Sequence, residues 1–420
     1  MDPILSTDTA FTSEQRRELY EADFLSKCKV LVVGAGGLGC EMLKNLVYMN
    51  FKHIHVIDMD TIDLSNLNRQ FLFRETDIGK SKALVAASAI SSTTGVNIEA
   101  HYCQIQDKDS EFYRQFDLVI SGLDSIEARR WLNATLCGLV TTDADGNIDP
   151  TSIIPLVDGG TEGFKGNSRV ILPKVNACFE CNLDLFPKPT KYPVCTIANT
   201  PRLPEHCIEW AAVLHWPKMF PDTALDPDNE EHLDFILKKA TERANIFHIP
   251  GITPRLVLGV VKNVIPAIAT TNAIIAASCC LEAFKLVTGS ARHLNNYFLY
   301  NGGDGIYSYA FENERNAECL VCSMTEIDVE VNCNTLVKEF VQIVKQMFPN
   351  RVSNPSLRST RTIYMTNPPS LEKSTRTNLD KKLLDFVAEG ESVYWTEKFN
   401  PITLTFKILI KENRKRKSTE

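Results

Sequence analysis

The chain has 420 residues, enough for two or three domains, and its 44 % of apolar residues can build a large core in each. The formal net charge of −7 excludes an overall basic field of the kind that recruits nucleic acid. No N-terminal segment has the charged, apolar and small-residue order of a signal peptide, so we expect the thirteen cysteines to be reduced thiols rather than a disulfide framework.

A glycine loop at Gly34–Gly39, with the sequence GAGGLG, is the first strong motif along the chain. It follows the apolar run 29–33 and precedes residues 41–49, where apolar side chains recur at helical spacing, so we expect strand, tight turn and helix. Glycines let a phosphate approach the backbone, and free N–H groups at a helix start stabilise its charge. A second predicted strand, 53–57, delivers Asp58 where a carboxylate can accept both ribose hydroxyls. Alone, this pattern favours a dinucleotide-dependent oxidoreductase.

Two charged residues farther along change that interpretation. Arg69 and Lys82 can neutralise a triphosphate, which a hydride-transfer enzyme does not need. From charge alone, a surface salt bridge is the alternative. The alternation of strand and helix patterns over about 27–181 predicts an α/β fold with a doubly wound, mostly parallel sheet that binds a nucleotide at the carboxyl ends of its strands.

Two C-x-x-C pairs, Cys178 with Cys181 and Cys319 with Cys322, can each present two thiolates to one tetrahedral ion. Either pair alone is as easily a coincidence, but two pairs in a reducing compartment predict a structural zinc site. Because the pairs are far apart in sequence, the ion would clamp two distant segments together. A closed shell of four sulfurs leaves no position open for chemistry.

Any thiol with a chemical role would therefore lie elsewhere, and Cys195 is a candidate. The prolines at positions 187, 189 and 193 predict an irregular, exposed stretch around it. From spacing alone an ordinary loop cysteine is the simpler interpretation. Its rival Cys207 opens an amphipathic helical pattern and is interpreted as packing, as are six cysteines in apolar contexts: Cys28, Cys40, Cys103, Cys137, Cys279 and Cys280.

The rest of the chain predicts an α-rich insertion, a return of the core and a separate C-terminal unit. The stretch from 264 to 280 is short for a membrane span and is expected to be a buried core helix, near 266–287. The last 90 or so residues suggest a β-β-α-β arrangement compatible with a ubiquitin-like fold. Its predicted strands and helix lie at 327–331, 336–347, 360–365 and 402–410.

Several motifs resemble the ATP site of the adenylating enzymes that activate ubiquitin and its relatives. They are Asp58-Met59-Asp60, the run Asn66–Phe73 and Gly79–Lys82. Leu123-Asp124, after a predicted strand at 117–121, resembles the magnesium-binding aspartate of that family. The resemblance covers nearly the whole chain. Through the segments 159–166 and 201–207 it is closest to the catalytic subunits of the heterodimeric neddylation (Rub-type) activating enzymes.

The resemblance implies a role for each matched residue. Asp58 binds ribose, Arg69 and Lys82 bind phosphates, Asp124 holds Mg, and Cys195, in the family's Cys-Thr-Ile motif, is the nucleophile. The four cysteines of the two pairs hold Zn. Asp60 either binds nucleotide or caps the following turn. The implied ATP site is Gly34, Gly36, Gly37, Gly39, Asp58, Asp60, Asn66, Arg69, Gln70, Lys82 and Asp124.

The resemblance also implies the domain plan. We expect an α/β adenylation domain in two parts, an inserted α-rich catalytic-cysteine domain and a C-terminal ubiquitin-fold α+β domain. The expected boundaries are 1–26 for an N-terminal extension, 27–184 and 253–324 for the adenylation domain, 185–252 for the cysteine domain, 325–412 for the ubiquitin-fold domain and 413–420 for a basic tail.

The implied function is adenylation of a ubiquitin-like protein of the Rub type, thioester formation on Cys195 and transfer to a conjugating enzyme bound through the C-terminal domain. Only one nucleotide-binding unit is present, so we expect a regulatory adenylation-like subunit as a heterodimer partner. No nucleic acid or membrane partner is expected, and the location expected is cytoplasmic and nuclear. The alternatives are the catalytic subunit of a SUMO-activating enzyme and a non-catalytic ATP-binding scaffold.

Arg169 carries a separate hypothesis about substrate choice. It follows the segment 161–164, where a substrate tail could pass, and its charge would repel a tail that carries arginine near the terminal Gly-Gly. A solvent-facing strand residue is the alternative.

Overall fold

The structure is a computed structural model that describes residues 24–143, 145–185, 194–227, 229–261, 267–290, 293–323, 326–349, 352, 354–397 and 400–411. The chain divides into two compact units, one formed by Met1–Leu183 with Ala269–Glu420 and the other by Asp184–Ile268. The cysteine domain expected at 185–252 falls within the second unit. The expected extension lies outside the described residues except for 24–26, and the basic tail lies wholly outside them.

The helices are numbered α1 to α13 in chain order. They are α1 (Phe24–Lys27), α2 (Gly37–Tyr48), α3 (Lys82–Thr94), α4 (Ser110–Arg114), α5 (Ile126–Leu139), α6 (Val194–Asn199), α7 (Pro204–Glu209), α8 (Trp216–Met219), α9 (Glu230–Ile246), α10 (Pro254–Val261), α11 (Ala269–Thr288), α12 (Val337–Met347) and α13 (Pro369–Thr375).

The strands form two sheets, both in the first unit. They are β1 (Lys29–Val33), β2 (His53–Ile57), β3 (Ile98–His101), β4 (Leu118–Ser121), β5 (Leu156–Glu162), β6 (Lys165–Ile171), β7 (Tyr297–Asn301), β8 (Tyr307–Phe311), β9 (Ile327–Val331), β10 (Pro355–Arg358), β11 (Thr362–Tyr364), β12 (Ser392–Glu397) and β13 (Asn400–Ile410).

The larger sheet has eight strands in the order β3-β2-β1-β4-β5-β6-β7-β8. The first five strands pair in parallel, and the last three join as antiparallel neighbours. Strands β1 and β4 are fully or almost fully buried, as expected for parallel strands covered on both faces. The predicted doubly wound, mostly parallel sheet is confirmed. Because the order reverses beside β1, the carboxyl ends of β1, β2 and β4 meet at one edge, where such sheets bind ligands.

Helix α11 is long and apolar enough to cross a membrane by length and composition alone. One stripe along it is buried at helical spacing, and Asn272, Ile275, Cys279 and Ala283 belong to that stripe. Most of these residues join the same core cluster as β1, β2 and α2. Helix α11 therefore packs through this stripe as a core helix, as the sequence predicts.

The second unit is a small helical assembly. Helices α7, α9 and α10 pack around a core that includes Cys207, Trp216, Ile236 and Val257. Cys207 is wholly buried, as its amphipathic pattern predicts. Its burial also raises its pKa.

The smaller sheet has the order β11-β10-β12-β13-β9. Its strands β9 and β13, the first and the last of the five along the chain, pair in parallel. Strand β9 alternates between buried and exposed residues, which points Ile327, Val329 and Val331 toward α12 and the core around Trp395. Among the described residues from 326 onward, one strand precedes α12 and four follow it. With α13 between β11 and β12, the observed order is therefore β-α-β-β-α-β-β rather than the expected β-β-α-β.

Candidate functional site

The glycine loop forms the turn between β1 and α2. The backbone N–H of Gly34 donates to the carbonyl of Ile57 at the end of β2, at 2.8 Å. Gly34 has φ = +95°, which disfavours any side chain, and a Cβ there would also meet the carbonyl oxygen of Gly122 at 3.1 Å. The turn is thus wedged between the ends of β2 and β4.

The other end of the loop leaves even less room. A Cβ on Gly39 would lie 1.9 Å from the carbonyl oxygen of Gly34, and one on Gly37 would lie 2.2 Å from Nδ2 of Asn272. The amides of the first helical turn have no partner within the helix, so they face the space beyond the sheet edge. This bare backbone at a helix N-terminus fits a phosphate.

Asn272 is a residue of this site that sequence reasoning missed. It lies on α11, is 3 % exposed, and its Oδ1 accepts a 2.7 Å hydrogen bond from Oγ1 of Thr161. Only the return of α11 to the sheet edge, more than 230 positions after the loop, places its amide over Gly37. A polar residue inside a predicted core helix is the one signal that could have pointed to it.

Asp58 lies where the sequence predicts, at the end of β2. Its Oδ2 accepts the backbone N–H of Ala35 at 2.6 Å, and its Oδ1 accepts that of Asp60 at 2.7 Å. Burial raises the pKa of Asp58, and the two amides and the nearby Lys82 oppose that shift. The carboxylate therefore ties the glycine loop to the end of β2, and each oxygen retains a lone pair for a further donor.

Lys82, the first residue of α3, is 9 % exposed, and its Nζ lies 2.9 Å from Oδ2 of Asp60. The backbone N–H of Lys82 also donates to the carbonyl of Asp60 at 3.0 Å. The carboxylate of Asp60 therefore takes Lys82 as its partner, while the cap of the following turn is Asp63. To contact a phosphate, the ammonium of Lys82 would either bind the phosphate and Asp60 at the same time or leave Asp60 for the phosphate.

Arg69, Asn66 and Gln70 lie in the turns that follow. Arg69 bonds two uncharged oxygens of its own turn, the carbonyl of Ser65 at 2.9 Å and Oδ1 of Asn68 at 3.0 Å, so no carboxylate among these partners neutralises its charge. A Cβ on Gly37 would touch its side chain at 3.7 Å. Asn66 closes its turn by accepting the N–H of Asp63.

Gln70 lies against the glycine loop. It is 3 % exposed, and its Nε2 lies 3.8 Å from the point where a Cβ of Gly36 would stand. Among the described residues its buried Oε1 has no hydrogen-bond partner. An unpaired acceptor beside the loop fits a site that a donor-bearing ligand completes.

Asp124 is exposed at the sheet edge, in the short connection from β4 to α5. The amide of Gly122 donates to the carbonyl of Val33, so this connection starts beside the end of β1. The structure therefore brings Asp58, Arg69, Lys82 and Asp124 to the edge where β1, β2 and β4 end.

The four cysteines of the two C-x-x-C pairs lie together, with all sulfurs within 4.8 Å of one another. The Sγ atoms of Cys178 and Cys319 are 3.6 Å apart, those of Cys181 and Cys178 are 3.8 Å apart, and those of Cys181 and Cys322 are 3.5 Å apart. Tetrahedral zinc with Zn–S bonds of about 2.3 Å needs sulfurs about 3.8 Å apart. The cluster therefore fits one structural zinc ion.

Helix α5 supports the first knuckle of this cluster. The carboxylate of Glu180, which is 2 % exposed, accepts two 2.8 Å hydrogen bonds from Arg130. The backbone N–H of Phe179 donates to Oδ1 of Asn133 at 3.0 Å. Both residues between Cys178 and Cys181 are thus held by α5, which fixes the knuckle even before an ion binds.

Cys195 is the second residue of α6, and its side chain lies outside the described residues, as do the three prolines before it. The expectation of irregular structure at Cys195 is wrong, because the described backbone is helical from Val194. Proline directly before or at a helix start is well tolerated, since no helix hydrogen bond needs its missing N–H.

Arg243 of α9 holds the C-terminal end of this helix. Its Nη2 donates to the carbonyls of Ile197 at 2.9 Å and Ala198 at 2.7 Å. Its guanidinium lies over the rings of Trp210 at 4.3 Å and Phe247 at 5.1 Å. A cation at the carbonyl end of a helix is stabilising, so Arg243 fixes the short helix that carries Cys195.

Arg169 is neither solvent-facing nor accessible to a passing chain in this structure. It is 2 % exposed, its Nε lies 3.4 Å from Oδ2 of Asp158, and its guanidinium lies between the rings of Phe179 and Tyr297 at 4.9 and 5.2 Å. The expected exposure is therefore wrong, since β6 turns this side chain into the interior.

A second group of metal-type ligands lies on β2 and β3. Nδ1 of His55 is 3.1 Å from Nε2 of His101, and the carboxylate oxygens of Glu99 lie 3.7 and 3.6 Å from these nitrogens. Burial lowers the pKa of both imidazoles. One imidazole N–H that donates to the other ring accounts for this geometry without an ion.

The glycine loop generates a first prediction. Gly39→Ala places a methyl group against the carbonyl of Gly34, so we expect stability to fall by about 1–3 kcal/mol and nucleotide affinity to fall with it. Urea unfolding and fluorescence anisotropy with a labelled ATP analogue measure the two effects. Gly138→Ala, on an open face of α5, is the control and should gain about 0.5–1 kcal/mol. Equal behaviour of the two variants would contradict the steric argument.

The cysteine cluster generates a second prediction. Cys319→Ser should lower the zinc content from one ion per chain to nearly none, as measured by colorimetric zinc release after denaturation. Its melting temperature should fall by roughly 5–10 °C, because each kcal/mol is worth about 2–4 °C in a domain of this size. Cys333→Ser, at an exposed cysteine outside the cluster, should change neither quantity. Full zinc retention by Cys319→Ser would refute the assignment.

Comparisons with known proteins agree with this geometry. A family model described as the ThiF family matches residues 13–321, and one described as an E2 binding domain matches residues 330–410. The NEDD8-activating enzyme E1 catalytic subunit of Dictyostelium discoideum is 51 % identical over 391 residues, covering 91 % of this chain and 88 % of that protein. Its counterpart in Drosophila melanogaster is 48 % identical over 399 residues, covering 92 % and 89 %.

A SUMO-activating enzyme is a more partial match. SUMO-activating enzyme subunit 2 of D. discoideum is 47 % identical over 195 residues, which covers 46 % of this chain and 27 % of that protein. The resemblance that the sequence motifs indicate is confirmed, and the SUMO-type alternative is weaker. The chain belongs to the ThiF family and, within it, to the NEDD8-activating enzyme E1 catalytic subunits.

Proposed function

We propose that the chain activates a ubiquitin-like protein of the NEDD8 (Rub) type in an ATP-dependent reaction. It adenylates the C-terminal glycine of that protein, retains it as a thioester on Cys195 and passes it to the cysteine of a conjugating enzyme. The observation that carries the proposal is the meeting of Asp58, Arg69 and Lys82 at one glycine-rich loop. Such a combination of side chains and backbone amides can bind ribose and phosphates.

In the first step, a carboxylate oxygen of the substrate's terminal glycine attacks the α-phosphorus of ATP. A new P–O bond forms as the bond to the β-phosphate breaks, and pyrophosphate leaves. Arg69 and the amides at the start of α2 neutralise the phosphates, and Lys82 joins them by sharing its partner Asp60. Asp124 would hold the magnesium ion that accompanies ATP, and this ion would supply further neutralisation of the triphosphate. Positioning and electrostatics account for most of the catalysis in such transfers.

The rest of the pocket orients the nucleoside. Asp58 keeps a lone pair on each carboxylate oxygen for a ribose hydroxyl, while its two amide bonds hold it rigid. The unpaired Oε1 of Gln70 offers one more acceptor beside the loop. Asn66 supports the pocket by closing the turn that carries Arg69 and Gln70.

In the second step, the sulfur of Cys195 attacks the carbonyl carbon of the acyl-adenylate. The C–S bond forms, the C–O bond to AMP breaks, and the thiol proton is lost to solvent. A thiol with the ordinary pKa of about 8.5 is reactive enough, because AMP is a good leaving group. Arg243 contributes by fixing the helix on which this thiol lies.

In the third step, the cysteine of a conjugating enzyme attacks the thioester and releases the thiol of Cys195. The C-terminal domain formed by β9–β13 and α12 is the docking site for that enzyme. The E2-binding family model matches residues 330–410 of it. The domain's own core around Trp395 lets it present a surface independently of the nucleotide site.

The proposal includes a second subunit. Single-chain ubiquitin-activating enzymes contain two adenylation-like halves, whereas the described residues hold one doubly wound sheet. A regulatory adenylation-like subunit therefore completes the enzyme as a heterodimer. We place the assembled enzyme in the cytoplasm and the nucleus.

Thioester formation tests this function directly. The full chain with its partner subunit, MgATP and fluorescent NEDD8 should give a band on a non-reducing gel that disappears with thiol. Cys195→Ala should abolish the band, because the proposed thioester forms on the sulfur of Cys195. Cys333→Ala, at an exposed cysteine, should leave it unchanged. Parallel reactions with ubiquitin and SUMO test the choice of substrate.

The outcomes separate the rival functions. A band with SUMO alone would favour the SUMO-type enzyme, and a band retained by Cys195→Ala would refute the assigned nucleophile. Substrate-stimulated exchange of pyrophosphate into ATP without any thioester would leave only the adenylation step. Nucleotide binding without exchange would favour the non-catalytic scaffold.

The role of Arg243 gives another prediction. Arg243→Met removes the hydrogen bonds that this side chain donates to the carbonyls of Ile197 and Ala198. We therefore expect thioester formation to slow about tenfold while pyrophosphate exchange stays near normal. Stopped-time gels and isotope exchange measure the two steps. Lys239→Met, on the same helix but paired with the exposed Glu242, is the control and should affect neither. A parallel loss of both steps would contradict a local role.

A further inference from the structure

The connection between β4 and α5 carries Asp124 and is fixed at both ends by backbone contacts. At its start, the amide of Gly122 donates to the carbonyl of Val33 at 2.9 Å. At its end, Oγ of Ser125 accepts the amide of Ala128 at 3.1 Å and caps α5. The peptide unit between these anchors joins Leu123 to Asp124, so its orientation sets the direction in which Asp124 points.

Arg129, one turn into α5, holds that peptide unit. Its Nη2 donates to the carbonyl oxygen of Leu123 and also to that of Gly159 on β5, at 3.0 Å. The side chain is 9 % exposed, so these bonds form away from bulk water. A single guanidinium nitrogen therefore joins the Asp124 connection to the neighbouring strand.

A buried carboxylate fixes the guanidinium in turn. Oδ1 of Asp158 lies 3.5 Å from Nε of Arg129, and its Oδ2 lies 3.4 Å from Nε of Arg169. Asp158 is 1 % exposed and lies between the two cations. Gly160 leaves room for the arrangement, since a Cβ there would come within 3.0 Å of Nη2 of Arg129.

The next residue on α5 serves a different site. Arg130 bonds Glu180 beside the cysteine cluster, whereas Arg129 bonds the Asp124 connection. Two adjacent arginines of α5 thus contact two different sites, the Asp124 connection and the first knuckle of the cysteine cluster. Arg130 is accordingly a matched control for any effect of Arg129.

We propose that Arg129 is a positioning residue for magnesium-dependent adenylation. It fixes the Leu123–Asp124 peptide against β5, so that the carboxylate of Asp124 is aimed at the metal ion that accompanies ATP. The inference rests on the proposed function for its assignment of magnesium to Asp124. Groups that orient a metal ligand typically change metal affinity about 10–100-fold when they are lost.

The test measures binding rather than turnover. The full chain, with its partner subunit, is titrated with a fluorescent non-hydrolysable ATP analogue, once in excess Mg²⁺ and once in EDTA. The ratio of the two dissociation constants reports how much the metal tightens the nucleotide. Arg129→Met should reduce this ratio about tenfold, and Arg129→Lys should lie between Arg129→Met and wild type, because an ammonium can still donate to Leu123. Arg130→Met should keep the wild-type ratio.

A double-variant cycle separates positioning from general damage. Asp124→Asn alone should remove the metal-dependent part of binding. The double variant Asp124→Asn with Arg129→Met should show no further loss in the ratio, because Arg129 acts through Asp124. Multiplication of the two effects would overturn the proposal. Circular dichroism melting checks folding, and the charge-conserving Arg129→Lys remains decisive if Arg129→Met does not fold.

The remaining outcomes distinguish the inference from the proposed function. A wild-type ratio in Arg129→Met, together with a lost ratio in Asp124→Asn, would overturn the role of Arg129 and leave the function intact. A wild-type ratio in Asp124→Asn would remove the magnesium assignment and the inference with it. In that case the Cys195 thioester gel would still decide whether the chain is an activating enzyme.

Discussion

The close approach of Gly34 and Gly39 across one helical turn is the constraint on which the nucleotide site depends. The carbonyl of Gly34 occupies the space where a side chain at Gly39 would stand, and the amide of Gly34 is bonded to the end of β2. The start of α2 and the ends of the strands are thereby brought close together, with backbone free of side chains at the glycines. Asp58 accepts the amide of Ala35 within this same loop. The other ATP-site residues are arranged around this point.

Helix α5 then links that edge to the rest of the first unit. Its N-terminal end follows Asp124, and Arg129 inside its first turns bonds both the Asp124 connection and β5. Farther along, Arg130 and Asn133 hold the first cysteine knuckle. The connection that carries Asp124 and the cysteine cluster are therefore both held by α5. Buried polar contacts of this kind are costly unless fully paired, which favours a single arrangement of the helix.

In the second unit, the C-terminal end of a short helix is held by the side chain of Arg243. Six residues are too few for an isolated helix to be stable, so α6 depends on its surroundings. Arg243 supplies two hydrogen bonds to its last carbonyls and stacks on two aromatic rings. The short helix that carries Cys195 is thus held in place by contacts from α9.

The sequence by itself determined the elements with strong periodicity and the motifs with fixed chemistry. Strands β1, β2 and β9, the core helix α11 and the pairing of the two C-x-x-C motifs all follow from apolar spacing and ligand type. Tertiary structure alone decided that Lys82 takes Asp60 as partner, that Arg169 is buried against Asp158, and that Asn272 and Arg129 reach the sheet edge. Local propensity reports how a segment bonds to itself, whereas these contacts join different strands, helices and connections, from 6 to more than 200 positions apart, and only chain topology brings them together.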